Sequence, residues 1–246
     1  MNSKKLYNKN FSKWGRNKFT CLSDFTARKY LFSLIPSLKN KSIADLGCGE
    51  GFCSRYFHKK GAKKIYSIDI SKKMIDLAQS ISPPEIIFKQ ASIENTKIKS
   101  NFADFSFAVF VFNYLKKKQI IRACEELKRI TKKNGEIYIT VPHPFFPIMC
   151  KKNETFYFKN LKKKDYFNKN DKELNGYIKK IDGTKLPVKL IHHTFQDYFD
   201  IFNKVNFSKI IEVKELSVKA NDLKKNKKFF SPVKNLPLHV LFKIKA

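Results

Sequence analysis

Residues 45–51 of this 246-residue chain read Asp-Leu-Gly-Cys-Gly-Glu-Gly and are the part of the sequence most informative about its fold. It follows a short apolar run at residues 42–46. It precedes residues 52–60, whose apolar side chains recur at helical spacing until Gly61. The stretch is therefore predicted to be the turn between a β-strand and an α-helix. Its glycines let a ligand approach the backbone more closely than any larger residue would allow.

A second strand is predicted at residues 64–68, and Asp69 ends it, twenty residues after Gly49. A carboxylate at this place can accept hydrogen bonds from both hydroxyl groups of a ribose, as in dinucleotide-binding folds. Each feature alone is weak evidence, because glycine turns occur at many strand-helix junctions and a strand-terminal Asp often caps a helix. The two features at this separation favour a nucleoside site.

The alternation of strand and helix continues along the chain. Residues 105–112 are apolar at nearly every position, as expected of a parallel strand that is covered on both faces. The alternation predicts a doubly wound, mainly parallel sheet with right-handed crossovers. Further strands are predicted at residues 86–88, 136–141, 210–213 and 239–244, and helices after Ser71, around Ile120 with a C-cap at Asn134 and Gly135, and after Thr194.

The composition is dominated by lysine. Lys and Arg total 51 against 21 Asp and Glu, which gives a formal net charge of +30. Such a charge suggests a nucleic acid or an anionic membrane surface as partner. Only five of the basic residues are arginine, whereas phosphate-binding proteins favour the guanidinium. The chain is also rich in Asn, Ile, Phe and Tyr, so a bias toward A/T-rich codons is the preferred explanation.

The cysteines and apolar runs exclude several classes of protein. The five cysteines are scattered without a C-x-x-C motif or a histidine at ligand spacing, so neither a disulfide framework nor a metal site is predicted. They favour a reducing compartment, and a cytoplasmic location is expected. The longest strongly apolar stretch, residues 105–115, is much shorter than the ~20 residues that a membrane-spanning helix needs. No membrane segment is predicted.

The glycine turn departs from the pattern of hydride-transfer enzymes. Those enzymes carry G-x-G-x-x-G, and Phe52 stands here where the third glycine would be. Asp45 and Glu50 add negative charge on either side of the turn. That charge would repel a pyrophosphate and would favour a cationic ligand with an amino group.

In these motifs the chain resembles the class I S-adenosylmethionine-dependent methyltransferases. The resemblance implies an α/β fold, a Rossmann-like doubly wound seven-stranded sheet that is mainly parallel with an antiparallel last strand. It also implies S-adenosyl-L-methionine as the cofactor. The resemblance covers roughly residues 41–143: residues 45–51 match the first motif, Asp69 the acidic end of the second strand, residues 90–93 the segment after the third strand, residues 104–115 the fourth strand and residues 141–145 the end of the fifth.

The resemblance implies roles for individual residues. Asp69 would hold the ribose and Ile70 would pack on the adenine. Gln90 stands where many relatives carry an Asp that bonds the adenine amino group. Backbone carbonyls near Ala108 and Val109 would accept hydrogen bonds from the methionyl ammonium. The full set expected to bind the cofactor is Asp45, Gly47, Cys48, Gly49, Asp69, Ile70, Gln90, Ala91, Ser92, Ala108 and Val109.

Because the cofactor supplies the reactivity in methyl transfer, no catalytic side chain is obligatory. His143 is the first candidate for a base, since it follows the fifth strand at the binding edge and titrates near neutrality. Its flanking prolines fit a rigid turn residue equally well. Tyr114 is a candidate for the acceptor pocket. His192 and His193 are expected mainly to form the entry to a helix.

A single methyltransferase domain is predicted over residues 1–246, because no repeat and no Gly/Ser-rich or Pro-rich linker divides the chain. Residues 1–40 would form an N-terminal cap and residues 41–146 the cofactor-binding core. Residues 147–190 show little periodicity and are predicted to be an insertion or lid rather than core. Residues 191–246 would add a C-terminal helix and strands.

The predicted function is methyl transfer to a small-molecule acceptor by in-line displacement. An RNA methyltransferase is the alternative, suggested by the charge and by aromatic residues interleaved with lysines in residues 156–167. A nucleic-acid partner is therefore left open but not favoured. A second alternative is a non-catalytic partner subunit that binds the cofactor, although the intact first motif and Asp69 speak against it. The oligomeric state is left open.

Overall fold

The computed structural model describes residues 8, 14–15, 18–149, 151–152, 154–159, 161 and 165–246. Phe11 of the predicted cap and Cys150 lie outside the described residues. Ten strands are present in this part of the chain: β1 Ser42–Leu46, β2 Lys64–Asp69, β3 Ile86–Gln90, β4 Ala103–Val109, β5 Thr131–Pro142, β6 Phe156–Phe158, β7 Glu173–Lys179, β8 Lys185–Ile191, β9 Lys209–Leu216 and β10 His239–Lys245.

Seven of these strands form one sheet in the order β3-β2-β1-β4-β5-β10-β9. β1 pairs in parallel with β2 and β4, β2 with β3, and β4 with β5. The last strand, β10, is antiparallel to both β5 and β9. The predicted fold class, α/β with a seven-stranded, mainly parallel sheet and an antiparallel last strand, is confirmed.

Helices cover both faces of this sheet. On one face, Leu127 and Phe202 pack with Ile139 in one buried cluster, and on the other face Leu31 packs with Phe57 in a second. Both faces of the parallel strands are thereby removed from water. The helices are α1 Lys29–Leu34, which continues a π-helical segment Asp24–Arg28, α2 Phe52–Lys59, α3 Lys72–Ser80, α4 Lys117–Ile130, α5 Phe146–Met149, α6 Phe195–Val205, α7 Ala220–Lys225 and α8 Lys227–Phe230.

Two predicted boundaries differ from the structure. β4 ends at Val109 rather than at Phe112, because Phe110 has a left-handed φ of 58° and begins a turn. α4 ends at Ile130, four residues before the predicted cap at Asn134, since Thr131 already pairs with the sheet. Asn134, with φ 67°, lies where the register between β4 and β5 shifts, so its left-handed conformation serves a strand irregularity instead of a helix cap.

The segment 147–190 was expected to contribute no core, and the structure corrects this. β6, β7 and β8 form a three-stranded antiparallel sheet. Phe156 and Leu190 of this small sheet are buried in a third cluster, together with Phe25 and Phe230 from other parts of the chain. The missed signal is the alternation of buried side chains along β8 at Leu186, Val188 and Leu190.

The N-terminal segment is joined to this small sheet. The backbone N–H of Ile181 donates to the carbonyl of Thr20 at 2.8 Å, and Cys21 forms an isolated antiparallel bridge with Lys180. Residues 20–21 thus lie against the turn between β7 and β8. Within the described part of the chain, no helix has the length and hydrophobicity that crossing a membrane requires.

Candidate functional site

A cavity of about 480 Å³ lies at the carboxyl ends of β1, β2 and β4 and extends to the end of β5 and the start of β10. In parallel sheets of this type the ligand binds at this edge. The opposite wall comes from the small sheet, through Ile178, Val188 and Leu190 among others. Trp14 and Arg28 line the cavity from the N-terminal segment.

Nine of the eleven predicted cofactor residues line this cavity: Asp45, Gly47, Cys48, Gly49, Asp69, Ile70, Ala91, Ser92 and Val109. Gln90 and Ala108 do not. Gln90 is exposed, and its amide Nε2 donates to the carbonyl of Ile70 at 3.1 Å. Ala108 is fully buried within β4. The structure therefore brings the glycine turn and Asp69 together but does not place the Gln90 side chain in the cavity.

The glycine turn folds back onto the end of β2. The backbone N–H groups of Gly47 and Cys48 both donate to the carbonyl of Ile68, at 2.8 and 2.9 Å. Gly47 has a φ of +72°, and a Cβ there would lie 2.7 Å from the Cβ of Val111. Gly49 has a φ of +56°, but no atom lies within 4 Å of the place its Cβ would take. Glycine is thus required at residue 47 for packing, while residue 49 faces open space.

Asp69 is half-buried, and the backbone holds it in place. Its Oδ2 accepts a hydrogen bond from the N–H of Gly49 at 3.0 Å, and its Oδ1 accepts one from the N–H of Ser71 at 2.8 Å. Burial raises the pKa of this carboxyl, and the backbone donors oppose the rise. Since a carboxylate offers about four acceptor sites, two remain for a ligand.

Asp45 is almost fully buried at the end of β1. Its Oδ2 accepts a hydrogen bond from the hydroxyl of Ser54 at 2.6 Å. Burial raises the pKa of Asp45 to about 6, although the Ser54 hydrogen bond and the Arg28 charge lower it. Asp45 therefore carries negative charge at neutral pH. Glu50, expected to add to that charge, is paired with the guanidinium of Arg55.

Arg28 is a cavity residue that the sequence analysis did not assign. Its Nη1 donates to Ser23 Oγ and to Asp24 Oδ1, each at 3.0 Å, and its guanidinium lies 5.1 Å from the ring centroid of Phe110. Its Nε is buried and has no hydrogen-bond partner. Burial lowers the pKa of Arg28, but Asp24 together with Cys53 and Cys21 raises it more, so the group stays a cation. The sequence feature that could have indicated a role for Arg28 is the spacing of four residues between Asp24 and Arg28, which places the two charges on one face of a helix.

The structure does not bring His143 to the cavity. Its Nε2 lies 2.7 Å from Glu215 Oε1, and its Nδ1 accepts a hydrogen bond from the N–H of Phe145 at 3.1 Å. Burial lowers the pKa of His143, and Glu215 opposes this change. With both ring nitrogens engaged away from the cavity, the geometry supports the turn role and gives the role of a base no support.

Of the other residues singled out from the sequence, one lines the cavity and two lie outside it. Tyr114 lines the cavity. His192 lies with Nε2 2.7 Å from the carbonyl of Tyr166, and His193 with Nε2 2.8 Å from the carbonyl of Leu115. Neither histidine lines the cavity, so both stay at the entry to α6.

His239 is the histidine that lines the cavity, and the sequence analysis did not single it out. It begins β10 and pairs with Pro142, the last residue of β5. Because β10 is antiparallel to β5, its first residue lies at the carboxyl edge of the parallel strands. His239 is 3% exposed, and its Nδ1 lies 2.8 Å from Thr26 Oγ1.

Comparison with known proteins shows what the central part of the chain is similar to. The sequence profile of the family described as "Methyltransferase domain" matches residues 44–139, which include the glycine turn, Asp69 and β4. Residues 44–139 are therefore similar to a methyltransferase domain.

Two curated relatives and one solved structure show how far the likeness extends. Protein 235L of Invertebrate iridescent virus 6, named as a methyltransferase, is 23% identical over 229 residues, which cover 85% of this chain and 82% of the viral protein. The malonyl-[acyl-carrier protein] O-methyltransferase of Pectobacterium atrosepticum is 27% identical over 112 residues, 46% of this chain and 43% of the relative. The chain spans less than half the length of the first curated relatives that it matches, 23% and 43%.

Among solved structures, an S-adenosylmethionine-dependent methyltransferase of Mesorhizobium loti superposes with a TM-score of 0.66 at 16% identity. The superposition covers 89% of this chain and 96% of that protein. At this identity the likeness shows the fold. The fold shared with the Mesorhizobium loti protein thus extends well beyond residues 44–139 of the methyltransferase domain.

Proposed function

We propose that the chain transfers a methyl group from S-adenosylmethionine to a small-molecule acceptor by in-line displacement. The observation that carries this proposal is the cavity itself, which has a charged, glycine-lined end at β1 and β2 and a largely apolar end beneath the small sheet. Its volume of about 480 Å³ is within the usual range of small-molecule sites, about 300–1,000 Å³.

The charged end fits the cofactor group by group. Asp69 has two free acceptor sites for the ribose hydroxyls, and Gly49 leaves open space beside it. Asp45 supplies negative charge for a ligand that bears an ammonium and a sulfonium group. Arg28 supplies a buried cation with an unpartnered Nε for the methionyl carboxylate. Ile70 and Ala91 would adjoin the adenine.

When bound, S-adenosylmethionine would supply an electrophilic methyl group to the acceptor's nucleophile, with the sulfur as leaving group. The chain's own task is to hold the acceptor in line and to exclude water. Phe158, Val188 and Leu190 close the cavity from the small sheet, and Trp14 closes it from the N-terminal segment. These apolar walls support an acceptor with an apolar body.

Replacing the ribose-binding carboxylate tests the cofactor assignment. Asp69→Ala is expected to weaken S-adenosylhomocysteine binding more than tenfold, because charge-assisted hydrogen bonds to the ribose are lost. Isothermal calorimetry measures the affinity. Asp76→Ala is the matched control, since Asp76 is exposed on α3 and pairs only with Lys72. Unchanged affinity in Asp69→Ala would remove the proposed cofactor site.

The net charge of +30 keeps an RNA methyltransferase as the second candidate. Labelled-methyl transfer to a metabolite extract and to bulk RNA, measured side by side, separates the two functions. RNA methylation together with RNA binding that weakens steeply with salt would replace the small-molecule proposal. Labelled methyl groups found in small molecules alone would support the small-molecule proposal. Among the described residues, Cys21, Cys48, Cys53 and Cys124 form no disulfide bond, which supports the proposal of a reducing, cytoplasmic setting.

A further inference from the structure

Two contacts of Thr26 determine which nitrogen of His239 carries the proton. The hydroxyl of Thr26 donates to the carbonyl of Leu22 at 3.0 Å. A threonine hydroxyl has a single proton. In the 2.8 Å contact between Thr26 Oγ1 and His239 Nδ1, the imidazole must therefore be the donor. The remaining nitrogen, Nε2, then carries a lone pair and acts as a hydrogen-bond acceptor.

The surroundings of His239 keep the ring neutral and leave Nε2 available. Within the described part of the chain, Nε2 has no hydrogen-bond partner. It also keeps some accessible surface, because the fully buried polar atoms without a partner do not include it. Because His239 lines the cavity and its Nδ1 is held by Thr26, Nε2 is the ring nitrogen left for a ligand there. Burial, together with the nearby Arg28 and His143, lowers the pKa of His239 to about 3.

The sheet order places His239 far from the ribose end of the cavity. Asp69 ends β2 and His239 begins β10, with β1, β4 and β5 between them. At about 4.8 Å per strand, four steps separate the two residues by about 19 Å along the sheet edge. The nearest rings are those of Phe110 and Phe146, whose centroids lie 5.0 and 5.6 Å from the imidazole.

Building on the function proposed above, we propose that His239 Nε2 accepts a hydrogen bond from a hydroxyl or amine of the methyl acceptor. The acceptor is then an apolar molecule that carries such a donor, with its body against Phe146, Phe158 and Val188. A carboxylate at this place would meet the lone pair of Nε2 and be repelled. Thr26 is a positioning residue, because it selects the tautomer without touching the acceptor.

The first experiment uses the wild-type protein with labelled histidine and saturating S-adenosylhomocysteine. Nitrogen-15 NMR is expected to show His239 protonated at Nδ1 and bare at Nε2. Addition of 4-ethylphenol should shift the Nε2 resonance, whereas 4-ethylanisole, which lacks the donor, should not. A proton on Nε2, or equal shifts with both probes, would overturn the proposal even if no variant folds.

The second experiment measures the affinity of the same two probes for variants. His239→Leu is expected to weaken 4-ethylphenol binding about tenfold and to leave 4-ethylanisole binding unchanged, as loss of one hydrogen bond predicts. Thr26→Val should show a mixture of tautomers and an intermediate loss. Equal losses for the two probes in His239→Leu would mean a packing role only and overturn the proposal.

Cofactor binding separates the failure of this proposal from the failure of the proposed function. Calorimetry with S-adenosylhomocysteine should give the same affinity for wild type and His239→Leu. A loss confined to the variant would assign His239 to the cofactor and overturn the acceptor role. Absence of binding to the wild type would instead refute the proposed function, and the tautomer and the discrimination between the two probes would then be judged by NMR of the free protein.

Discussion

Gly47 and Gly49 share a left-handed backbone conformation but differ in what surrounds them. A side chain at residue 47 would overlap Val111, while one at residue 49 would project into open space. The two positions therefore separate the cost of backbone strain from the cost of overpacking. The turn needs glycine at the first position for folding and at the second for access by a ligand.

Gly47→Ala is expected to lower the free energy of unfolding by about 3 kcal/mol, from left-handed strain of about 1–2 kcal/mol and overpacking of at least 1 kcal/mol. Gly49→Ala should lose only about 1–2 kcal/mol, because the strain acts alone. Urea unfolding measures both. Equal losses would show that Val111 moves aside and that the close contact does not constrain the turn.

Asp45 has a folded-state pKa of about 6 against an ordinary value of 3.8, so its contribution to stability is present at low pH and is lost as the pH rises through 6. Asp45→Asn is expected to be more stable than the wild type by about 3 kcal/mol at pH 7.5 and about equal at pH 4. Urea unfolding at the two pH values measures this difference.

The same variant should bind S-adenosylmethionine more weakly at pH 7.5, since the negative charge at the end of β1 is gone. A stabilised protein with weaker cofactor binding is the expected signature of a charge kept for function. Ser67→Ala serves as a control, because Ser67 hydrogen-bonds only to the Ser54 hydroxyl in this network and carries no charge. A destabilised Asp45→Asn would show that Asp45 is structural.

Among the elements, the small sheet is the part whose role changes most between sequence and structure. β6, β7 and β8 close the cavity and also share a buried cluster with Phe25 and Phe230. Its turn is bonded to Thr20 and Cys21 of the N-terminal segment. We propose that the two segments cover the cavity together, so that movement of one requires movement of the other.

Phe156→Ala is expected to lower the free energy of unfolding by about 3–5 kcal/mol, the usual cost of removing a buried aromatic ring. Phe156 is 1% exposed and stacks on Phe146 with ring centroids 3.7 Å apart. Phe167→Ala, at 76% exposure, is the matched control and should change stability by less than about 0.5 kcal/mol. A small loss of unfolding free energy in Phe156→Ala would instead support the interpretation of residues 147–190 as a lid rather than core.

Over the whole molecule, the charge of +30 acts on the chain itself as well as on any partner. Like charges on one compact surface repel, and salt screens them with a Debye length of ~10 Å at 0.1 M. Raising the salt concentration from 0.02 to 0.3 M is therefore expected to raise the Tm. Screening worth about 1 kcal/mol corresponds to about 2–4 °C.

Calorimetry of the free protein in sodium chloride tests this expectation. Potassium glutamate at equal ionic strength is the control for binding of chloride at specific sites. A Tm that falls with salt would mean that ion pairs such as Arg122 with Glu94 stabilise the fold more than the net charge opposes it.

The large sheet and the charged end of the cavity could be predicted from local sequence patterns alone. Strand-helix alternation and the turn at residues 45–51 are local patterns. Because the carboxyl ends of neighbouring parallel strands lie at the same edge of a sheet, these patterns predict that Asp69 and the glycines lie close together. The side chain of Gln90 was assigned from a resemblance, and its actual contact with Ile70 depends on a rotamer that no pattern encodes.

Which histidine and which cation reach the cavity depends on tertiary packing and could not be predicted from local patterns. His239 pairs with Pro142, the residue before His143, so the two histidines lie near each other where β5 ends and β10 begins. Their side chains nevertheless differ in direction, since His143 contacts Glu215 and His239 contacts Thr26. Arg28 enters from a helix more than a dozen residues before β1, held by Asp24. Such contacts join residues that are distant in sequence, so no local pattern predicts them. They form during packing, because a buried polar group without a hydrogen-bond partner destabilises the fold.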